Sequence, residues 1–248
     1  MPHCANQRLR YRLADHVRAC RIDDQVVLLD LQRTKYLGVS GTQLSALAEH
    51  IVDWPASSPG NVGAEVGISS QSSSTEVWIS RLRQQRMLAD AAATTQQDPR
   101  LEDPLMTLQT DAIQPQQAPT WRDLLHLATA ASVATYWLKC RDLAEIAESV
   151  RRLRQRGSIS GAAVGLDELS AHVSSYLRMR PFLITAHDQC LRDSLTLVSF
   201  LAKRSIYPAW VIGVKTHPFG AHSWVQSGPV VLNDSHDHVR AYRPILVV

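Results

Sequence analysis

Long hydrophobic runs are missing from this sequence of 248 residues, and so is an excess of charge of one sign. No stretch reaches the ~18 consecutive apolar residues that a membrane-spanning helix needs. The N-terminal run MPHCANQRLRYRL has no apolar core behind its charges, so the sequence predicts no secretory signal and no membrane contact. The 26 basic and 23 acidic residues are spread along the chain, which argues against a nucleic-acid binder with a basic face.

Cysteine is also scarce, and its four copies are scattered over positions Cys4, Cys20, Cys140 and Cys190. They form no C-x-x-C pair and no dense disulfide framework. We therefore expect a cytoplasmic protein with reduced thiols, one of which is available for chemistry. With 45% hydrophobic and 20% charged residues, the composition is that of a globular protein and excludes wholesale disorder.

The chain divides into two structured blocks, residues 1–90 and 120–248, joined by a polar stretch. Residues 91–119 contain four prolines and six glutamines. Prolines at this density break helices and strands, and the few apolar residues cannot bury a core. The sequence therefore predicts a linker over 91–119.

The first block begins with strand patterns and ends with helical ones. Three β-rich segments are followed by amphipathic helical periodicity. The predicted strands cover 16–22, 25–31 and 34–39, and the predicted helices cover 44–51 and 73–90. Three strands followed by helices are typical of a small winged-helix-like module.

The second block has the opposite order, with helices first and strands last. A helical pattern starts at Thr120, where Asp123 gives a capping signal, and continues toward Gly157. Further predicted helices cover 167–181 and 188–203, and predicted strands cover 209–215 and 221–226. Together the two blocks predict an α+β protein.

Three residues of the second block have the spacing of a nucleophilic site. Cys190 lies in the first turn of a predicted helix, where the helix dipole stabilises a thiolate. His222 lies within a predicted strand, and Asp234 follows the next strand. Antiparallel pairing would bring His222 beside Asp234, so that the carboxylate holds Nδ1–H and turns the other ring nitrogen toward the thiol. Cysteine, histidine and aspartate in this order on helix, strand and strand are typical of papain-like and transglutaminase-like enzymes.

Two other interpretations compete for the same residues. Taken singly, a cysteine in an apolar helix or a histidine in a strand is commonly a core residue. A metal site is the second interpretation, because the C-terminal region is rich in candidate ligands: His217, His222, Asp234, His236, Asp237 and His238. His236 and His238 would share one side of a strand, but no second ligand pair accompanies them. The nucleophilic site is therefore favoured, and no metal is predicted.

Four runs of the second block carry a family resemblance: CLRDSLTLVSFL, WVIGVK, PFGAHSWVQ and VVLND. They resemble the lasso-peptide B proteins, which are the leader peptidases of lasso-peptide biosynthesis. The resemblance implies a transglutaminase-like cysteine-protease fold with Cys190, His222 and Asp234 as the catalytic residues. Ser223 stands where many family members have alanine. For the oxyanion we expect the backbone N–H of Cys190, with Gln189 as a second donor.

The first block agrees with this resemblance. Its run QVVLLDLQRTKYLGVSGTQLSALAEHI resembles the precursor-recognition module of peptide-modification enzymes. The resemblance implies that a leader peptide adds as a strand beside the third β-strand and against the last helix. The residues that would line this groove are Tyr36, Leu37, Ile79 and Leu82. Both modules in one chain indicate the fused form of the protein.

The implied function is hydrolysis of the leader–core bond of a ribosomally made precursor, which frees the core N-terminus for macrolactam cyclisation in antibiotic biosynthesis. The implied partners are the precursor peptide, bound through its leader, and an ATP-dependent asparagine-synthetase-like cyclase. No G-x-x-x-x-G-K-[ST] loop is present, so we expect no cofactor and any ATP dependence only through that cyclase. Two alternatives stay open: an acyl transferase with the same three residues, and a non-catalytic winged-helix protein that binds peptide or DNA. The basic run at 151–156 is the best support for DNA.

Overall fold

The computed structural model describes residues 11–41, 43–55, 71–90, 100–108, 120–160, 165–182 and 189–248, with 71–74 and 156–160 described as backbone. The chain forms two compact units, Met1–Gln97 and Asp98–Val248. Within the described ranges, no helix has both the length and the apolar character needed to cross a membrane.

The N-terminal unit is built on a three-stranded antiparallel sheet. Its strands are β2 (Val17–Ile22), β3 (Gln25–Asp30) and β4 (Lys35–Ser40), in the order β2-β3-β4. The other elements are β1 (Tyr11–Leu13), α1 (Gln43–His50), α2 (Gln71–Gln84) and β5 (Leu88–Asp90). The three predicted strands agree with the observed ones to within two residues, because alternation over 16–22 and a β-rich apolar run over 25–31 mark the first two of them.

One face of this sheet packs into the N-terminal core. Val26, Leu28 and Val39 are buried in one cluster with Leu47 of α1 and Leu82 of α2. Successive side chains of a strand point to opposite faces, so this cluster fixes which face of each strand meets the helices.

The helix predicted over 73–90 is wrong at its C-terminal end. α2 ends at Gln84, Arg86 takes a positive φ of 59°, and Leu88 pairs with Leu13 in the short β1–β5 sheet. The apolar residue at 88 fits helical spacing as well as it fits a strand, so periodicity alone could not find the end of the helix.

In its described residues, the C-terminal unit combines a five-stranded sheet with four longer helices. The strands are β6 (Met106–Thr107), β7 (Ala209–Thr216), β8 (Phe219–Ser227), β9 (Val230–Val231) and β10 (Arg243–Val247), in the order β10-β7-β8-β9-β6. The helices are α3 (Trp121–Cys140), α4 (Leu143–Ser160), α5 (Leu166–Met179) and α6 (Cys190–Ala202), with a short α7 (His236–Val239). The prediction of an α+β protein is confirmed.

The helix predicted to run from 120 toward 157 is two helices. Thr120 and Asp123 form the predicted capping box at the start of α3. The chain then leaves helical geometry at Arg141, and the Asp142 carboxylate accepts the Glu145 backbone N–H at 2.8 Å. An aspartate at this position stabilises a new helix start, which separates α4 from α3.

Part of the predicted linker lies on the C-terminal sheet. Residues 91–99 and 109–119 are outside the described residues, whereas β6 pairs in parallel with β9. The buried Gln226 side chain also donates to the Glu102 carbonyl at 2.7 Å. The interpretation of 91–119 as linker is therefore wrong for 100–108, where backbone and side-chain hydrogen bonds hold a proline-containing edge segment.

Candidate active site

Cys190 is the first residue of α6 and is half-buried. Its thiol is hydrogen-bonded to the His222 imidazole and to the backbone N–H groups of Ser223 and Leu191. Burial raises the pKa of the thiol, but these hydrogen bonds and the charge of His222 outweigh that effect, so the pKa is lowered. The site therefore favours a thiolate at Cys190.

His222 lies in β8 and contacts Asp234 through its outer ring nitrogen. The distance from His222 Nε2 to Asp234 Oδ2 is 2.5 Å, which leaves Nδ1 for the Cys190 thiol. Burial lowers the pKa of His222, while the hydrogen bonds to Asp234 and Cys190 and their charges raise it, to about 9. At neutral pH the imidazole is therefore protonated.

The predicted roles of the two ring nitrogens are reversed. The thiol meets the Ser223 backbone N–H next to His222 on β8, so it lies close to the main chain of that strand. Nδ1 is the ring nitrogen nearer the main chain, and Nε2 extends toward the loop that carries Asp234. The expectation that the carboxylate holds Nδ1–H is wrong for this reason.

Asp234 lies in the loop between β9 and α7. Its Oδ1 accepts the Ser235 backbone N–H at 2.7 Å, and His238 Nδ1 lies 3.0 Å from Oδ2. Burial raises the pKa of this carboxyl, but the hydrogen bonds from His222, Ser235 and His238 lower the pKa by more than burial raises it. The net shift is therefore downward. The structure thus brings Cys190, His222 and Asp234 together, with the pKa of the thiol lowered, that of the imidazole raised and that of the carboxyl lowered.

Aromatic rings surround the imidazole of His222. Trp224 stacks at an interplanar angle of 15°, and the Tyr242 ring centroid lies 5.2 Å away. Gly213 is the cross-strand neighbour of His222, and a Cβ there would come within 2.7 Å of the Trp224 ring. The missing side chain at 213 therefore leaves the space that the Trp224 ring occupies beside His222.

Replacing Gly213 by alanine is expected to lower the free energy of unfolding by about 1–3 kcal/mol, because the buried Trp224 ring has to move. Urea denaturation of the full chain measures this change. The matched control is Gly220→Ala, where the new Cβ meets the flexible Lys215 side chain at 3.1 Å and the Tyr242 ring at an ordinary contact distance of 3.8 Å. Equal losses in the two variants would contradict the proposed clash.

Asp193 and Asn233 are two polar residues that sequence reasoning missed, and they connect the elements of the site. Asn233 Nδ2 donates to Asp193 Oδ2 at 2.9 Å and to Ser194 Oγ at 3.2 Å. The Val225 backbone N–H donates to Asn233 Oδ1 at 2.8 Å. The only available signal was adjacency: Asp193 follows Cys190 by three residues, and Asn233 precedes Asp234.

Gln189, the expected second oxyanion donor, is the residue before Cys190 and is half-buried. Its side-chain oxygen accepts Arg192 Nη1 at 3.0 Å. Only the amide nitrogen of Gln189 can donate to an oxyanion, and the contact with Arg192 holds the opposite end of this amide.

The histidine-rich C-terminal segment is arranged differently from the predicted strand. His236 and His238 lie in α7, and Thr107 Oγ1 lies 2.9 Å from His236 Nδ1. In the described part of the chain, His222, Asp234 and His238 have potential ligand atoms within 4.8 Å of one another. Both imidazoles already contact the Asp234 carboxylate. The interpretation of His236 and His238 as a ligand pair on one strand is wrong.

The candidate leader-binding residues do not share one surface. Leu37 and Ile79 are half-buried and pack against the N-terminal core, whereas Tyr36 belongs to the opposite face of β4, because side chains alternate along a strand. Leu82 is 0% exposed. It is a core residue, and its assignment to a peptide-lining surface is wrong.

Comparison with known proteins agrees with this geometry. Residues 127–247 match the family model of the transglutaminase-like superfamily. A segment of 46 residues is 48% identical to the microcin J25-processing protein McjB of Escherichia coli, covering 18% of this chain and 22% of that protein. No solved structure matches the chain. The resemblance stated from the sequence is confirmed by these two matches, the broader of which is a similarity of residues 127–247 to the transglutaminase-like superfamily.

Proposed function

We propose that this protein is a cysteine leader peptidase of lasso-peptide biosynthesis. The proposal is carried by two contacts: the Cys190 thiol contacts the His222 imidazole, and His222 Nε2 lies 2.5 Å from Asp234 Oδ2. All three residues lie inside the transglutaminase-like domain. The likeness to a protein named for processing microcin J25 supports the substrate class, a ribosomally made precursor peptide.

The geometry supports a thioester mechanism. The Cys190 thiolate attacks the carbonyl of the leader–core bond, and the backbone N–H of Cys190 with the Gln189 amide stabilises the oxyanion. The His222 imidazolium donates its Nδ1 proton to the departing amine, which is the N-terminus of the core. Water then attacks the thioester, with neutral His222 as the base, and the leader leaves with a new carboxylate. Asp234 holds Nε2–H throughout, so the imidazole keeps its orientation.

Leader recognition is assigned to the N-terminal unit. In the described part of its three-stranded sheet, β4 is an edge strand, and an edge strand can pair with an added peptide strand. We assign Leu37 and Ile79, which are half-buried and apolar, to the surface that the leader peptide would contact. The core released by hydrolysis is the substrate of an ATP-dependent asparagine-synthetase-like cyclase, which acts as the partner.

Mass spectrometry of a precursor peptide with a lasso leader tests the proposal. Wild type and Cys190→Ala are each incubated with the peptide, with and without the cyclase and ATP. We expect an intact leader to be released by wild type alone, while both proteins bind the peptide. A new isopeptide without added cyclase would instead identify an acyl transferase, and a lack of cleavage under every condition would overturn the proposal.

A further inference from the structure

The three candidate catalytic residues come from three different elements. Cys190 begins α6, His222 lies in β8, and Asp234 lies in the loop after β9. Their contacts depend on the relative position of these elements, because an error of about 1 Å at a reacting group is costly for catalysis. Something in the fold has to hold a helix, a strand and a loop in one arrangement.

The side chain of Asn233 bonds to two of these elements and is joined covalently to the third. Its amide nitrogen donates to Asp193 Oδ2 and Ser194 Oγ, both in α6. Its amide oxygen accepts the backbone N–H of Val225, which follows His222 by three residues in β8. The next residue in the chain is Asp234.

The acceptor in α6 is itself held in place. Asp193 is 7% exposed, and Arg180 Nη1 lies 3.2 Å from the same Oδ2. The Tyr176 hydroxyl donates to the other oxygen, Oδ1, at 2.7 Å. A buried carboxylate with donors on both oxygens has a fixed position. Asn233 therefore attaches the loop to a fixed point in the helix.

We propose that Asn233 is the positioning residue of this site and that Asp193 is its anchor, so that one amide sets the relative places of Cys190, His222 and Asp234. The inference builds on the proposed function, but it concerns how the site is assembled and requires no particular substrate. Loss of the amide removes the hydrogen bonds from Asn233 to α6 and to Val225 of β8, and it weakens the contact between His222 and Cys190.

The test measures the rate at which iodoacetamide alkylates Cys190 in the full-length chain as a function of pH, with peptide mapping to separate Cys190 from the other cysteines. The midpoint of this profile is the pH at which the alkylation rate reaches half of its maximum. For Asn233→Ala we expect this midpoint to rise toward the pKa of an ordinary thiol, about 8.5. Once the midpoint lies above pH 7, each further unit of rise lowers the thiolate fraction at pH 7, and with it the alkylation rate, by about tenfold. A wild-type midpoint in folded Asn233→Ala would overturn the proposal.

The control is Tyr176→Phe, which removes the hydroxyl from the oxygen of Asp193 that Asn233 does not use. We expect a lower unfolding temperature and a much smaller rise of the alkylation midpoint than in Asn233→Ala, because Arg180 still contacts Asp193 and the Asn233 amide keeps its three hydrogen bonds. An equal midpoint shift in Tyr176→Phe would assign the effect to general loosening and would also overturn the proposal.

A donor–acceptor exchange keeps the test decisive if Asn233→Ala does not fold. Asn233→Asp alone sets two carboxylates against each other, whereas Asp193→Asn combined with Asn233→Asp again places an amide opposite a carboxylate. We expect the double variant to recover part of the midpoint shift, because Arg180 loses its carboxylate partner in this exchange. A double variant with the same midpoint as Asn233→Asp alone would contradict the assigned pairing. Alkylation needs no precursor peptide, so a failed leader peptidase and a failed positioning role give different results.

Discussion

Replacing His222 by alanine is expected to lower the rate of leader cleavage by about 10²–10⁴-fold, the usual contribution of a positioned acid or base. Two losses combine in this variant. The thiol loses the hydrogen bond and the charge that lower its pKa, and the departing amine loses its proton donor. Single-turnover cleavage of the precursor, followed by mass spectrometry, measures the change.

His238→Gln is the matched control for His222→Ala. His238 contacts the same carboxylate, and its ring centroid lies 4.7 Å from that of His222, but its side chain is 49% exposed. We expect a much smaller loss in this variant, because the hydrogen bond from the His222 imidazole to Asp234 remains. If both variants lose activity equally, His222 is not the single acid and base of the reaction.

The sequence was sufficient for the elements that carry the candidate site. Periodicity located the start of α6 within two residues, so Cys190 could be placed at a helix N-terminus. Strand alternation placed His222 within β8, and the turn residues placed Asp234 after the next strand. These signals are local, and local signals predict the folded structure correctly when the apolar pattern and the turn residues indicate the same element.

The contacts across elements were not predictable in the same way. Which nitrogen of His222 faces Asp234 depends on the side from which α6 approaches β8. The pairing of β6 with β9 joins segments more than 120 residues apart through backbone hydrogen bonds that have no side-chain signature. Asn233 looked like an ordinary turn residue, because its partners Asp193 and Ser194 lie 40 and 39 residues away in the sequence.

In the N-terminal unit, a binding role was assigned to an apolar residue that belongs to the core. Leu82 has the apolar character expected of a groove residue, yet it is fully buried among Leu28, Leu47 and Met87. Apolar side chains on an amphipathic helix are explained first by the core they cover. A peptide-binding role has to be argued from half-exposed residues such as Leu37 and Ile79.

Leader cleavage is expected to depend on pH with a rising limb, a plateau and a falling limb. The active form has Cys190 deprotonated and His222 protonated. The rate therefore rises as Cys190 loses its proton, at a pH below that of an ordinary thiol, since the pKa of Cys190 is lowered. It falls as His222 loses its proton, around pH 9. Because Cys190 and His222 interact, the apparent pKa values of the two limbs describe the coupled pair and not the separate residues. Initial rates of precursor cleavage between pH 5 and pH 10 measure the profile.

Replacing Asp234 by asparagine is expected to narrow this plateau from both sides. The carboxylate raises the pKa of His222 by its hydrogen bond and its charge, so its loss moves the alkaline limb to lower pH. A less stable imidazolium in turn stabilises the thiolate less, which moves the acid limb to higher pH. A profile with unchanged limbs and only a lower plateau would show that Asp234 orients His222 without setting its charge. A shift of the alkaline limb to higher pH would contradict the assigned contact, because only a group that destabilises the imidazolium can have that effect when it is removed.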